Sequence, residues 1–367
     1  MSRPLPRLDR VEARHVRVPF RRPFVTAAGV LTFRSSWILR LRDIDGNEGL
    51  GEIALEPAAS RAKESAIGRV VRQAVTVLGA GGLPSHGALT KLGASGVALW
   101  AGIAEALEQL EALRGAPAVA PAGRSSVAAN ATVQLTDPTA AAETASQAVA
   151  AGFSCLKLKV GAETQHDLVE RVQAVRTAIG SSVRLRVDVN AGWDLPTAVE
   201  RLNALAALDI EFVEQPLAPA DLAGHVTLRR ASPVPIALDE SAQSESTVAR
   251  ILDAGAADVL VIKLARVGGP SSVRVIAVRA ASAGVPVVIS TFFETGIGLY
   301  AALRAAAALP LVGGELAHGL ATADILAHDL LATPIAVTGG RIDVPNRLAP
   351  DEQAIEHFTV EMVGPMA

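Results

Sequence analysis

Cysteine is nearly absent. Cys155 stands alone among 367 residues, so the chain can form no intrachain disulfide. It must be held together by its own core, and a cytoplasmic setting is the simplest expectation. Aromatics are scarce at 3% and charged residues reach only 19%, while half the sequence is hydrophobic. That balance excludes a charge-dominated disordered chain and fits thin helices rich in Ala, Val and Leu packed on short strands. One-sided charge is missing too. The formal net charge is -3, and no stripe of Lys and Arg interleaves with aromatics, which argues against nucleic acid as a partner. Residues 1–20 carry charges but no apolar run, so no signal peptide is expected. The most apolar stretch, near 295–313, is interrupted by Arg304 and reads as a buried helix rather than a membrane span.

What is present divides into two patterns. The first 114 residues begin with strand-like text: "RVEARHVRVPF" alternates, and "SSWILRLRDIDGNEGLGEIAL" gives an apolar run, an Asp-Gly turn and a second strand, a hairpin signal. Apolar residues at three- and four-residue spacing predict helices over 61–79 and 96–114. The segment 115–126, "GAPAVAPAGRSS", is the expected boundary, giving an α+β capping domain over 1–124. Beyond it, eight short apolar runs alternate with helical segments: "AANATVQL", "CLKLKV", "RLRVDVN", "IEFVEQP", "PIALDES", "VLVIKL", "PVVIST" and "VGGELAHGL". Among the helices, one places Leu168, Val172, Val175 and Ile179 on a single face and stops at Gly180. The next starts near Pro196 with Val199, Leu202 and Leu205 inward. Strands buried on both sides, on a repeat of about 25 residues, describe a parallel barrel or a doubly wound sheet, and eight units favour the barrel. The fold class is thus α/β, a (β/α)7β-type TIM barrel over 125–330, with residues 331–367 expected to return to the capping domain.

Chemistry-bearing residues fall one group per repeat, near strand ends. Lys157 and Lys159 lie in the second strand, Asp188 and Asn190 end the third, and Glu214 ends the fourth. Asp239 and Glu240 end the fifth, and Lys263 ends the sixth. In a parallel barrel such regular steps return to the same height on each next strand, at the C-terminal face where barrel enzymes carry their sites. Lys157 and Lys159 are two apart, so they share the inward face with Leu156 and Leu158 outward. Charges on an inward face are costly unless paired or metal-bound. Hard oxygen donors with no nearby histidine or thiolate select Mg²⁺ or Mn²⁺ over zinc. Any one of these residues has a plainer explanation: a lone Asp or Glu at a strand end is usually a helix cap, and Asp239-Glu240-Ser241 could simply cap the next helix. Five in-phase charged groups are harder to obtain from capping. Cys155 reads as a small buried hydrophobe, Trp37 and Trp193 as packing, and Glu52 and Glu56 as members of a surface or domain-interface loop. "GLGEIA" lacks the strand–turn–helix context of a dinucleotide loop.

At these positions the sequence resembles the muconate-lactonizing subgroup of the enolase superfamily: "KLK", "DVN", "EQP", "DES" and "IKL" occur in the family's order, and "PFRRPFVTAAG" and "DGNEGLGEIA" resemble its capping domain. The resemblance implies Asp188, Glu214 and Asp239 as ligands of a divalent cation. It implies Lys159 and Lys263 as acid–base groups on opposite faces of a small carboxylate substrate. Lys157 would keep the Lys159 pKa low, Asn190 and Glu240 would orient the ligands, and Ser290 and Glu294 in "STFFETGIGL" would border the substrate. The chemistry implied is removal of a proton next to a carboxylate. Members include o-succinylbenzoate synthases, N-succinylamino-acid racemases, dipeptide epimerases and muconate cycloisomerases. The text at 20–31 and "HGLAT" at 318–322 resemble the synthases, "GGEL" resembles the cycloisomerases, and the lack of Asp-x-Asp at strand eight counts against an epimerase. Synthase is the reading favoured here, with racemase or cycloisomerase as alternatives and a catalytically silent carboxylate-binding barrel as the different class. Homo-oligomers are common in the family.

Overall fold

The computed structural model describes residues 5–26, 29–57, 61–115, 123–134, 137–160 and 164–364, so most of the expected boundary at 115–126 lies outside the described residues. Strands β1 (Leu8–Thr26), β2 (Gly29–Asp43) and β3 (Glu48–Ile53) precede helices α1 (Arg61–Gly79), α2 (His86–Thr90) and α3 (Ala94–Leu113). After β4 (Ser126–Ala128), strands and helices alternate: β5 (Ala131–Gln134), α4 (Pro138–Ala150), β6 (Cys155–Lys159), α5 (Gln165–Ile179), β7 (Arg184–Asp188), α6 (Leu195–Leu205), β8 (Ile210–Glu214), α7 (Leu222–Ala231) and β9 (Ile236–Leu238). They continue as α8 (Glu245–Ala254), β10 (Val259–Lys263), α9 (Leu264–Val267), α10 (Pro270–Ser282), β11 (Val287–Ser290) and α11 (Gly296–Ala307). The chain ends with β12 (Val337–Thr338), β13 (Arg341–Asp343), α12 (Glu352–Phe358) and β14 (Thr359–Val363).

Local chemistry accounts for the element ends. The β2–β3 hairpin turns where the Asp43 carboxylate accepts from the Asp45 and Asn47 amides, at 3.0 and 2.9 Å, and where Gly46 takes a positive φ of 82°. Helix α5 starts at Thr164, whose hydroxyl accepts from the Asp167 amide, and stops at Gly180, φ 72°. Its buried face is Leu168, Val172, Val175 and Ile179, as the spacing predicts. Helix α6 starts at Asp194 with Pro196 in its first turn. Its buried face is Ala198, Leu202 and Leu205. Val199, expected inward, is half-buried at the edge of that face and still packs against the core.

Strands β5 to β11 form one parallel sheet in sequence order. An eighth strand, expected around 312–320, is reduced to two bridges: His318 pairs with Ala129 and Gly319 with Ser290. The His318 amide donates to the Ala128 carbonyl at 2.8 Å, and the Gly319 amide donates to that of Ile289 at 2.9 Å, so this segment spans the gap between β11 and the start of β5. A side chain at Gly319 would meet the Ser290 hydroxyl at 2.8 Å, which keeps that position a glycine. Leu156, Leu158, Leu185 and Val187 point outward into the main core under the helices, whereas Phe212, Ala237, Val259, Val261 and Val288 form a separate apolar cluster on the inward face. Helix α11, from the most apolar stretch, is buried over most of its surface, and no helix among the described residues is long and apolar enough to cross a membrane.

The second sheet is antiparallel, in the order β14-β1-β2-β3, so the C-terminal strand pairs with the N-terminal one, while β13 pairs with β4. Helix α3 lies directly on β3. Cβ atoms at Gly49 and Gly51 would sit 2.0 Å from the Ala106 carbonyl oxygen and 1.9 Å from that of Gly102. The glycines of "GLGEIA" therefore serve backbone-to-backbone packing. We predict that Gly51→Ala lowers stability by about 3 kcal/mol or more through overpacking. A urea-denaturation midpoint unchanged by that substitution would contradict this contact.

Candidate active site

The last inward-facing residue of each stave builds the mouth of the sheet. Registers place Lys159 beside Asp188, Asp188 beside Glu214, and Lys263 beside Ser290 on neighbouring strands. Asp239 follows directly after β9. Lys159 and Lys263 end the second and sixth staves, and in a ring of eight those staves face one another. Asp188, Glu214 and Asp239 belong to the three staves between.

The charged side chains are arranged as pairs. Lys157 Nζ lies 3.0 Å from Asp188 Oδ2 and 3.3 Å from Glu214 Oε1. Lys159 Nζ donates to Asp188 Oδ2 at 2.6 Å and to Asn190 Oδ1 at 2.8 Å, and Asn190 Nδ2 donates to Glu240 Oε1 at 3.0 Å. Lys263 and Arg266 hold one Asp239 oxygen each, and Arg266 also reaches Glu56 at 3.2 Å. Burial differs usefully among them: Asp188, Glu214 and Asp239 are 1–2% exposed, whereas the Lys159 side chain is 30% exposed and opens toward solvent.

Burial penalises every charge here, and the neighbours decide each outcome. For Lys157 the surrounding Glu214, Asp188 and Asp239 outweigh burial and hold the ammonium above the ordinary lysine range. For Asp188 the two lysines outweigh burial and keep the carboxyl well below the usual carboxylate range. Asp239 is likewise lowered, by Lys263 and Arg266 against burial. Glu214 is pushed up to about 7 by burial and by the charge of Asp188, and Glu240 is raised by burial and by Asp239.

Two residues in and beside the motifs act as braces. Gln215 has φ 43°, a left-handed backbone that a non-glycine residue adopts only where surroundings hold it. Its Oε1 accepts from the Asp239 and Ser241 amides at 3.0 and 3.1 Å, and its Nε2 donates to Ser241 Oγ at 2.8 Å, tying the end of β8 to the end of β9. Arg266 neutralises Asp239. Neither role is evident from the sequence, where Gln215 stands inside "EQP" and Arg266 lies two residues beyond "IKL".

Ser290 stands level with Lys263 on the next stave, buried next to Gly319, whereas the other loop candidate does not meet the mouth. Glu294 turns back, its Oε2 accepting from the Phe292 amide at 2.5 Å, and it feels Arg34 and Glu52 of the antiparallel sheet. Glu52, expected in a surface or interface loop, is 1% exposed and bonded to the start of α11; Glu56 is the exposed one of the two. Cys155 is fully buried, and burial pushes its thiol up to about 11.

The donor set fits a hard divalent cation: three buried carboxylates on adjacent staves, with no thiolate or imidazole among them. As the side chains stand, no three His, Cys, Asp or Glu groups among the described residues are spaced to grip an ion, because the ammonium and guanidinium groups hold the carboxylate oxygens. An ion would take over oxygens that those cations now engage.

Fold and mouth together define a barrel enzyme. The family pattern described as enolase C-terminal domain-like matches residues 140–350. The o-succinylbenzoate synthase of Thermobifida fusca is 37% identical over 297 residues, covering 80% of this chain and 88% of that protein. The L-Ala-D/L-Glu epimerase of Bacillus subtilis is 30% identical over 318 residues, covering 82% and 85%. The crystal structure of muconate lactonizing enzyme from Pseudomonas fluorescens complexed with muconolactone aligns with a TM-score of 0.81 at 25% identity, over 97% of this chain and 100% of that one. The chain belongs to the enolase superfamily, whose members generally depend on a divalent metal.

Burial pushes Glu294 up to about 7 from an ordinary 4.5, with Arg34 opposing and Glu52 adding to the rise. A carboxyl raised in the folded state binds its proton more tightly there than in the unfolded chain. Its stabilising contribution is complete below pH 4.5 and is lost as pH rises through 7. Wild type should therefore lose on the order of 3 kcal/mol relative to Glu294→Gln between pH 4 and pH 8. Parallel stability–pH curves for the two proteins would contradict the assignment.

Proposed function

We propose that the chain removes a proton next to a substrate carboxylate, and that the net reaction is the dehydration made by an o-succinylbenzoate synthase. What supports this reading is the placement of Lys159 and Lys263 at the ends of staves four apart in the sheet, with three buried carboxylates on the staves between. The likeness to the synthase of Thermobifida fusca supports the choice of reaction.

A proton beside a carboxylate is weakly acidic because its loss leaves a dianionic enediolate. Mg²⁺, or Mn²⁺, held by Asp188, Glu214 and Asp239 would supply positive charge where that anion develops. Around the mouth, Lys157, Lys159, Lys263 and Arg266 face Asp188, Glu214, Asp239 and Glu240, so the cluster is balanced before any ion or substrate enters. A dication would leave a surplus that suits a substrate gaining negative charge. Lys159 takes the α-proton and returns it to the departing hydroxyl on the same face, and Lys263 stays opposite as a fixed cation. Lys157, kept protonated by its carboxylates, adds a fixed positive charge beside Asp188 and Glu214. Asn190 and Glu240 orient the Lys159–Asp188 pair. Ser290, level with Lys263 on the next stave, borders the substrate, and Glu294 supports the loop that follows through the Phe292 amide.

A second reading rests on the same placement: one lysine per face is what racemisation of an N-succinyl amino acid needs. Cycloisomerisation shares the residues, and a silent carboxylate-binding barrel is opposed by the intact lysine pair. We further propose a division into a capping domain over 1–124, a barrel over 125–330 and a returning segment over 331–367, in a cytoplasmic homo-oligomer.

Purified protein with Mg²⁺ should convert the synthase substrate to an aromatic product, followed by ultraviolet absorbance. Lys159→Ala should lower the rate by about 10²-fold or more. Absence of an aromatic product would sink the synthase reading, and two-faced deuterium exchange of N-succinyl amino acids in D₂O would move the assignment to a racemase.

A further inference from the structure

Glu52 lies on β3, outside the parallel sheet, yet most hydrogen bonds of its carboxylate go to the start of α11. Its Oε2 accepts from Thr295 Oγ1 at 2.7 Å, from the Thr295 amide at 3.0 Å and from the Gly298 amide at 3.1 Å. Its Oε1 accepts from Ser36 Oγ at 2.8 Å. The carboxylate therefore takes two of the otherwise orphaned amides that open α11, a 12-residue helix. Asp329 takes a third, the Gly296 amide, at 2.6 Å. Gly298 leaves room for this approach, since a Cβ there would lie 3.2 Å from Glu52 Oε2.

The segment so anchored is the loop between Ser290 and Gly296. Phe292 in that loop sets its ring 5.2 Å from Lys263 Nζ and 5.0 Å from Arg266 Cζ. It packs with Ala265 and with Ala54, two residues beyond Glu52 on the capping side. Phe293 holds φ 62°, a conformation of order 1–3 kcal/mol above the common basins that persists only where contacts impose it. Glu52 is itself fixed from behind. Its amide donates to Glu105 Oε2 on α3 at 3.0 Å, beside the glycine contact that seats α3 on β3.

We infer that Glu52 is a positioning residue: through Thr295 and the start of α11 it holds the Phe292 ring against Lys263, and so sets where one of the two opposed lysines meets the substrate. A capping-sheet carboxylate thereby governs one face of the reaction. The Lys159 face, on the opposite stave, has no such contact with Glu52. The catalytic part of this inference rests on the proposed two-lysine chemistry; the anchoring part does not.

Glu52→Gln keeps the shape but places an amide donor against donors. Thr295→Val, which removes one hydroxyl, is the milder companion should the first variant fold poorly. Amide hydrogen exchange read by mass spectrometry should rise in peptides spanning 291–298 in either variant, with the rest of the barrel unchanged. In D₂O with Mg²⁺, Lys263→Ala first identifies which N-succinyl amino acid enantiomer gives up its α-proton to that lysine. Glu52→Gln should slow exchange of that enantiomer about tenfold or more and leave the other within about twofold. Unchanged protection over 291–298, or equal slowing of both enantiomers, overturns the inference. A wild type inert toward every such substrate, as a synthase without racemase activity would be, overturns the catalytic part of the inference, and the amide exchange still decides the anchoring.

Discussion

Crowding of buried charge at one end of a parallel sheet is the constraint from which the rest of this structure follows. Asp188, Glu214 and Asp239 are almost wholly out of solvent on adjacent staves, where carboxylates without partners would be untenable. Lys157, Lys159, Lys263 and Arg266 answer them, each within ion-pair reach. The balance is uneven by design of the sites: Asp188 sits between two ammonium groups and is driven down, while Glu214 shares Lys157 with Asp188 and is driven up to about 7. In the proposed chemistry, the surplus that a dication would bring to so tightly paired a cluster is what an anionic substrate would offset.

The scaffold serves that end. Regular spacing brings each charged residue to the same height on its stave, while Gln215, held in a left-handed backbone, couples the ends of β8 and β9. Among the described residues the barrel does not close by a full eighth ladder, and His318 and Gly319 bridge the seam. From the other sheet, Glu52 and Glu56 reach across to the start of α11 and to Arg266. The antiparallel sheet is therefore bonded to the same loops that surround the charged mouth.

Much of this was legible in the sequence. Period-two alternation with charges at strand ends announces a barrel mouth, and the in-phase steps from Lys159 to Lys263 identify the staves that share it. Helix ends at Gly180 and Pro196 follow from backbone chemistry alone. What could not be read was anything decided by contacts between distant segments. Glu52 looks like a hairpin residue until α11 arrives to be capped. The glycines of "GLGEIA" have no evident purpose until α3 lies on them. Glu294 belongs to a loop motif, yet its carboxyl turns toward Phe292 and Arg34 because that loop doubles back. Pairing of Arg266 with Asp239 depends on a one-turn helix directly after β10, which no periodicity reveals.

Asp188, Glu214 and Asp239 are proposed to act together on one cation. Calorimetric titration of the purified protein with Mg²⁺, repeated for Asp188→Asn, Glu214→Gln and Asp239→Asn, tests this most directly. One ion should bind per chain, with affinity reduced about tenfold or more in each variant. Binding that persists undiminished in any of the three, or no binding to wild type, would contradict it.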